Sequence, residues 1–157
     1  MVIREIKEDD NKNIEQVIRK CLIEFGANRE GFAWADPELS TLSRAYSEKN
    51  TKYWVVESGG EILGGCGIAP VKGLKGVCEL QKMYLLKEAR ALGVGQKLMD
   101  IALDFAKDHY ETCYLETLKS MMVANKFYKK NEFIELEEPL LKTDHFSCDA
   151  WYVKKLI

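Results

Sequence analysis

Apolar positions recur along this chain with two periods, and the switches between them mark out its elements. Val2–Ile6 alternates as a short strand does. Ile14, Val17, Ile18, Cys21, Leu22 and Phe25 follow helical spacing. They predict a helix over Asn11–Phe25, capped by Asn11 or Asn13 and stopped by Gly26. Ala27–Asp36 reads as a loop carrying Phe32 and Trp34. Pro37, with Asp36 before it as cap, opens a second predicted helix that runs to Ser47 and presents Leu39, Leu42 and Tyr46. Tyr53–Glu57 and Ile62–Ile68 are β-prone runs around Gly59-Gly60, a hairpin signal. Gly64, Gly65 and Gly67 in the second run predict a bulge or close backbone packing.

After a loop at Gly73–Gly76, Val77–Leu85 reads as a further strand. Arg90–Gly95 is a turn, and Gln96–Asp108 a helix whose predicted buried stripe is Leu98, Ile101, Ala102 and Phe105. Cys113–Glu116 is a strand and Ser120–Lys130 a helix with Ala124, Phe127 and Tyr128 on one side. Phe133–Leu136 and Cys148–Leu156 close the chain as strands around a loop containing Pro139. This order predicts an α/β fold, a mixed sheet with helices on both faces.

Composition narrows the picture by exclusion. A chain of 157 residues suits one domain spanning 1–157. A formal charge of −2 gives no bulk electrostatic handle for nucleic acid or an anionic membrane. The five cysteines are odd in number and form no C-x-x-C pair, so they read as reduced, mostly buried thiols of a cytoplasmic protein. The first residues are charged and hold no apolar leader, and the longest uncharged stretch, Ile62–Val71, is too short to span a bilayer.

Chemistry concentrates where the strand ending near Leu85 passes through Gly93 and Gly95 into a helix. The first amides of a helix lack intrahelical partners and sit at the positive end of its dipole. Leu92–Lys97 contains no acid to neutralise that end, and Arg90 and Lys97 add cations. Such a turn suits a phosphate or pyrophosphate, and it equally suits glycines kept for tight packing alone. A P-loop is absent, and a G-x-G-x-x-G reading from Gly93 meets Leu98 at its last position, which leaves a dinucleotide site as a weak rival. Cys66 and Cys78 read as small hydrophobes, since no histidine adjoins them in sequence. His145 and Cys148 have metal-like spacing, but one pair is not a site, so no metal is expected.

Arg90-Ala-Leu-Gly93-Val-Gly95 resembles the R/Q-x-x-G-x-G/A acyl-CoA motif of the GNAT-type N-acetyltransferase superfamily. Glu79–Leu85 looks like the strand before that motif. Leu115-Glu-Thr117 with Met121, Ala124 and Phe127-Tyr128 looks like the strand and helix after it. Asp36–Leu39 and the segment from Pro139 to Trp151 resemble small bacterial members. Two departures are Met121, where many members carry Asn, and Glu132, where the family often has Gly.

The resemblance implies a mixed, mostly antiparallel central sheet flanked by helices, with a V-shaped splay between two adjacent parallel strands. It implies acetyl-CoA as donor, its pyrophosphate on the turn Arg90, Ala91, Leu92, Gly93, Val94, Gly95 and Gln96, and its pantetheine along Met83, Tyr84 and Leu85, with Met121 and Ala124 facing it. It makes Tyr128 the acid that protonates the departing thiolate and Glu79 a candidate base; read from the residues alone, Tyr128 is also a core tyrosine and Glu79 a strand carboxylate. Phe32, Trp34 and His145 fall where the family walls its acceptor pocket, or else pack the core. The acceptor implied is a primary amine, a small molecule or a peptide terminus, and homodimers are frequent in the family. A catalytically inactive acyl-CoA-binding sensor or assembly module would keep the same turn.

Overall fold

Strands β1 (Val2–Glu5), β2 (Lys52–Ser58), β3 (Glu61–Pro70), β4 (Val77–Leu85), β5 (Thr112–Thr117), β6 (Ile134–Leu136) and β7 (Ala150–Lys155) form one seven-stranded sheet in the order β1-β2-β3-β4-β5-β7-β6. The structure is a computed structural model and describes residues 1–157. Every neighbouring pair is antiparallel except β4 and β5. The fold is the mixed, mostly antiparallel α/β sheet that the family resemblance implies.

Both faces of the sheet are covered, which explains the unbroken apolar run of β2. Tyr53 and Val55 point into one core, with Ile14, Ile18 and Leu22 of α1 (Asn11–Glu24). Trp54 and Val56 point into the other, with Leu98, Met99 and Ala102 of α4 (Val94–Lys107). A strand buried on both sides loses the polar–apolar alternation of a half-exposed one.

The parallel pair is short. β4 and β5 are in register only at Val77–Thr112, Cys78–Cys113 and Glu79–Tyr114. Beyond those pairs β4 stays with β3 as far as Leu85, and β5 stays with β7 as far as Thr117. The two strands therefore part after Glu79, and a V-shaped gap opens between them. A bulge accompanies the parting. Gly65 pairs with Tyr84 and Gly67 with Gln81, so Lys82 and Met83 together face Cys66, and Lys82 takes a left-handed φ of 49°. Bulges bend and twist the strand that carries them. The tight apposition of β3 to the end of β4 is what Gly64 allows: a Cβ there would stand 2.3 Å from the Tyr84 carbonyl oxygen.

Several local expectations are revised. The second predicted helix is broken into a 3₁₀ stretch, Pro37–Thr41, and one α-turn, α2 (Leu42–Ala45). Asp36 does not cap it; its carboxylate is taken by Lys82 and His145 instead. Helix α1 starts after Asp10, and the Asn11 side chain bridges to Ser43, tying α1 to α2. The buried stripe of α4 is rotated: Val94, Leu98, Met99, Ala102, Leu103 and Ala106 are inside, while Ile101 is 37% exposed.

Candidate active site

Two connected spaces lie at the parting of β4 and β5. The outer one is an open groove of about 660 Å³ between the end of β4, the start of α4 and α5 (Met122–Lys130). The inner one is a small, more enclosed cavity of about 70 Å³ that reaches Glu79. Met83, Tyr84, Met121 and Tyr128 line both.

Apolar side chains of α5 and Phe25 wall much of the groove, and backbone supplies its polar donors. A short helix, α3 (Lys87–Arg90), leads into a turn where Gly93 adopts φ 75°, a conformation that costs an L side chain ~1–2 kcal/mol. A Cβ on Gly93 would meet nothing within 4 Å, so that side of the turn faces open space. Gly95 is different, because its Cβ would stand 3.3 Å from the Leu85 side chain. The amides of Gly93, Val94, Gly95 and Gln96 have no backbone acceptor, and the first turn of α4 contains no acid. Four free donors at a positive helix end are an arrangement that suits an anion.

Arg90 is placed differently from its sequence reading. Its Nε donates to the Leu85 carbonyl at 2.8 Å, and both terminal nitrogens donate to Glu24 at 2.7 Å. Its charge is thus matched by α1, and it braces the end of β4. This pairing commits Glu24 to Arg90, whose hydrogen bonds hold its carboxyl below the usual range. Lys130 on α5 lines the groove as a further cation. The Leu86 amide donates to Leu63, so the alternation of an antiparallel ladder turns the Leu85 amide away from β3 and toward the gap.

The cavity is built from side chains. Glu79 sits at the last parallel pair, and burial raises its carboxyl above the ordinary value; Glu116 adds to the rise, while a hydrogen bond from Gln81 at 2.9 Å opposes it. Tyr46 donates in turn to Gln81 at 2.7 Å, fixing the amide that orients Glu79. Tyr128 is only 8% exposed and packs against Phe133 and Tyr152. No sealed side-chain oxygen or nitrogen in the protein lacks a partner, and the Tyr128 hydroxyl makes no bond within the chain, so it opens onto these spaces. Burial pushes its phenol well above the usual value, which keeps it protonated at neutral pH.

A buried charge cluster closes the far side. Lys82, with a side chain 3% exposed, pairs with Asp36 at 2.7 Å and Glu38 at 3.3 Å. His145 Nε2 lies 2.9 and 3.0 Å from the two Asp36 oxygens. Burial opposes charge on His145, but the Asp36 hydrogen bond and charge prevail and raise it. Burial likewise favours a neutral Asp36, but His145 and Lys82 hold it below the usual carboxyl range.

The structure therefore brings Glu79, Tyr128, Phe32 and His145 to one cavity and Leu85, Gly93, Gly95, Gln96 and Ala124 to the adjoining groove. Ala91 and Leu92 are exposed on the turn, and the Val94 side chain is buried, leaving its amide as its only offering. Trp34 lies outside both spaces, stacked 4.6 Å from the Arg19 guanidinium. Cys66 and Cys78 are fully buried, as small hydrophobes are. Cys148 borders the cavity, but burial pushes its thiol up to about 12, so it offers no thiolate. Gln81 and Lys82 were missed by the sequence reading, and Asp36 was read as a helix cap. The one available signal was Lys82, which falls in step with the buried positions Cys78 and Leu80 of its strand.

The chain has relatives of known family. Residues 14–133 match the acetyltransferase (GNAT) family model. The uncharacterized N-acetyltransferase YjgM of Escherichia coli (strain K12) is 37% identical over 158 residues, covering 99% of this chain and 95% of that protein. An acetyltransferase of the GNAT family from Staphylococcus aureus superposes with a TM-score of 0.86 at 22% identity, covering 99% of each chain. An aminoglycoside 6'-N-acetyltransferase complexed with coenzyme A superposes with a TM-score of 0.71 at 16% identity, covering 100% of this chain and 98% of that one. The chain belongs to the GNAT family of acetyltransferases, whose chemistry is acyl transfer.

Proposed function

We propose that this protein, acting as one domain over residues 1–157, is an N-acetyltransferase that moves an acetyl group from acetyl-CoA to a primary amine in a ternary complex. The residues present suit the donor. Free amides at Gly93–Gln96, with open space beside Gly93, match a pyrophosphate, and Lys130 adds positive charge. The unpaired edge of β4 at Met83–Leu85 suits the amides of a pantetheine arm, in the manner of an added strand. Met121 and Ala124 line the opposite wall. Acetyl-CoA supplies the acetyl group on a thioester.

The chain's own groups then divide the work. The Leu85 amide is turned to the gap, where a carbonyl oxygen gains negative charge during attack. Glu79, its carboxyl raised by burial, takes a proton from the amine, whose ordinary pKa of ~10.4 keeps it charged on arrival. Tyr128 holds its proton at Oη until sulfur becomes basic, then donates it. Phe32 and His145 wall the acceptor side. The observation that carries this reading is the position of Tyr128, whose unpaired hydroxyl borders both the groove and the cavity of Glu79.

Incubation with acetyl-CoA and a panel of alkyl diamines, aminosugars and dipeptides, followed by free thiol, tests it. Amine-dependent thiol release is expected. Acetyl-CoA binding with no amine-dependent release would make the protein a binding module instead.

A further inference from the structure

Transfer of an acetyl group from a thioester to an ammonium ion leaves one proton over. The nitrogen loses two protons and the sulfur gains one. On the reading proposed above, Tyr128 protonates sulfur and is restored by one proton of the nitrogen. Glu79 takes the other, and it lies in a cavity of only about 70 Å³. That proton must reach solvent before the next turnover.

We propose that His145, oriented by Asp36, is the proton exit of this site: it takes the proton from Glu79 across the cavity and releases it to water. An O–H bond breaks at Glu79, an N–H bond forms at His145, and no oxidant or co-reactant is needed.

The geometry supports this assignment over its neighbours. His145 lines the same cavity as Glu79 and Tyr128, yet its side chain is 23% exposed, against 8% for Asp36 and 3% for Lys82. It therefore lines the cavity and keeps part of its ring accessible to water. Asp36 accepts at Nε2, which leaves Nδ1 of the neutral ring as the basic nitrogen, and Nδ1 makes no bond within the chain. The His145 amide donates to Thr143, whose hydroxyl donates to Glu116, so the loop is pinned to β5. The charged groups facing the ring are Asp36 from the 3₁₀ side and Lys82 and Glu79 from β4, with the Cys148 thiol on its own loop. The others fit the task less well. Lys82 is enclosed by two carboxylates, and Glu116 is occupied by the Thr143 and Tyr114 hydroxyls. Cys148 stays a thiol. Imidazole alone has an ordinary pKa near neutrality, as a group that must both accept and release a proton requires.

The test compares wild type, His145→Gln and Asp36→Asn with an amine from the panel that wild type acetylates, following thiol release in weak buffer and in rising imidazole. His145→Gln should lose about tenfold or more in kcat in weak buffer and regain it saturably with imidazole, with KM values within about twofold. Wild type should ignore imidazole. The two histidines are followed by NMR: the resonance lost in His145→Gln should titrate above the ordinary imidazole value and fall in Asp36→Asn. An unchanged kcat, or a loss that imidazole does not restore, would overturn the relay. So would a His145 titration indifferent to Asp36→Asn. If wild type releases no thiol with any amine, the acetyltransferase reading fails and takes the relay with it. If only the variant comparison fails, that reading stands.

Discussion

The outer groove and the inner cavity share Tyr128 but are made of different materials. The groove presents backbone: free amides at Gly93–Gln96 and the open edge of β4. Backbone donors need no particular side chain and cannot titrate, so the turn keeps one electrostatic character at any pH. The cavity presents Glu79 and His145, each of whose charge answers to burial and to charged neighbours, Lys82 among them. On the proposed function, the contrast separates recognition of the donor from handling of protons and of the acceptor.

Substitutions can break that contrast. The largest effect on stability should follow from Lys82→Met, which leaves Asp36 and Glu38 without their ammonium. Losing one partner of a buried ion pair costs ~3–5 kcal/mol, and His145 still serves Asp36, so about 3 kcal/mol is expected in urea unfolding. Acetyl-CoA affinity should change only a few-fold, because the turn at Gly93 is untouched. Tyr128→Phe should lower kcat by about 10²–10³ and leave the acetyl-CoA Kd within about twofold, since the hydroxyl makes no bond inside the chain. An equal loss of affinity would make Tyr128 part of recognition instead.

Gly93→Glu sets a negative charge in the open side of the turn and should weaken CoA binding by about 100-fold, or ~2.7 kcal/mol, by calorimetry. Unchanged affinity would detach the turn from the donor. The smallest effect is thermal. The folded-state carboxyl of Glu79 is raised, so the native protein binds more protons than the unfolded chain between the two values, and stability falls as pH climbs through that window. Glu79→Gln should therefore raise Tm at pH 7, a gain that fades below the ordinary carboxyl range. A gain that persisted at low pH would point to packing.

The same contrast explains what was legible in the chain. Gly93, Gly95 and the acid-free start of α4 lie within a few residues of each other, so a local reading reached the groove. The sheet elements were legible through their periods, and most of α4 through its stripe. The second helix was misjudged because Asp36 has a stronger partner in Lys82 than in the amides it would cap. Lys82, Asp36 and His145 lie on β4, a 3₁₀ junction and a loop far along the chain, and only the bulge at Lys82 and the fold bring their charges together. Trp34 shows the converse: an aromatic in the right loop stacks on Arg19 outside the site.

The most direct test is an amide-resolved NMR titration of the ¹⁵N-labelled protein with coenzyme A. The account predicts that the largest shifts fall on Gly93, Val94, Gly95 and Gln96, with a second set at Met83–Leu85. Saturable binding that left those amides unmoved and shifted residues elsewhere would contradict it.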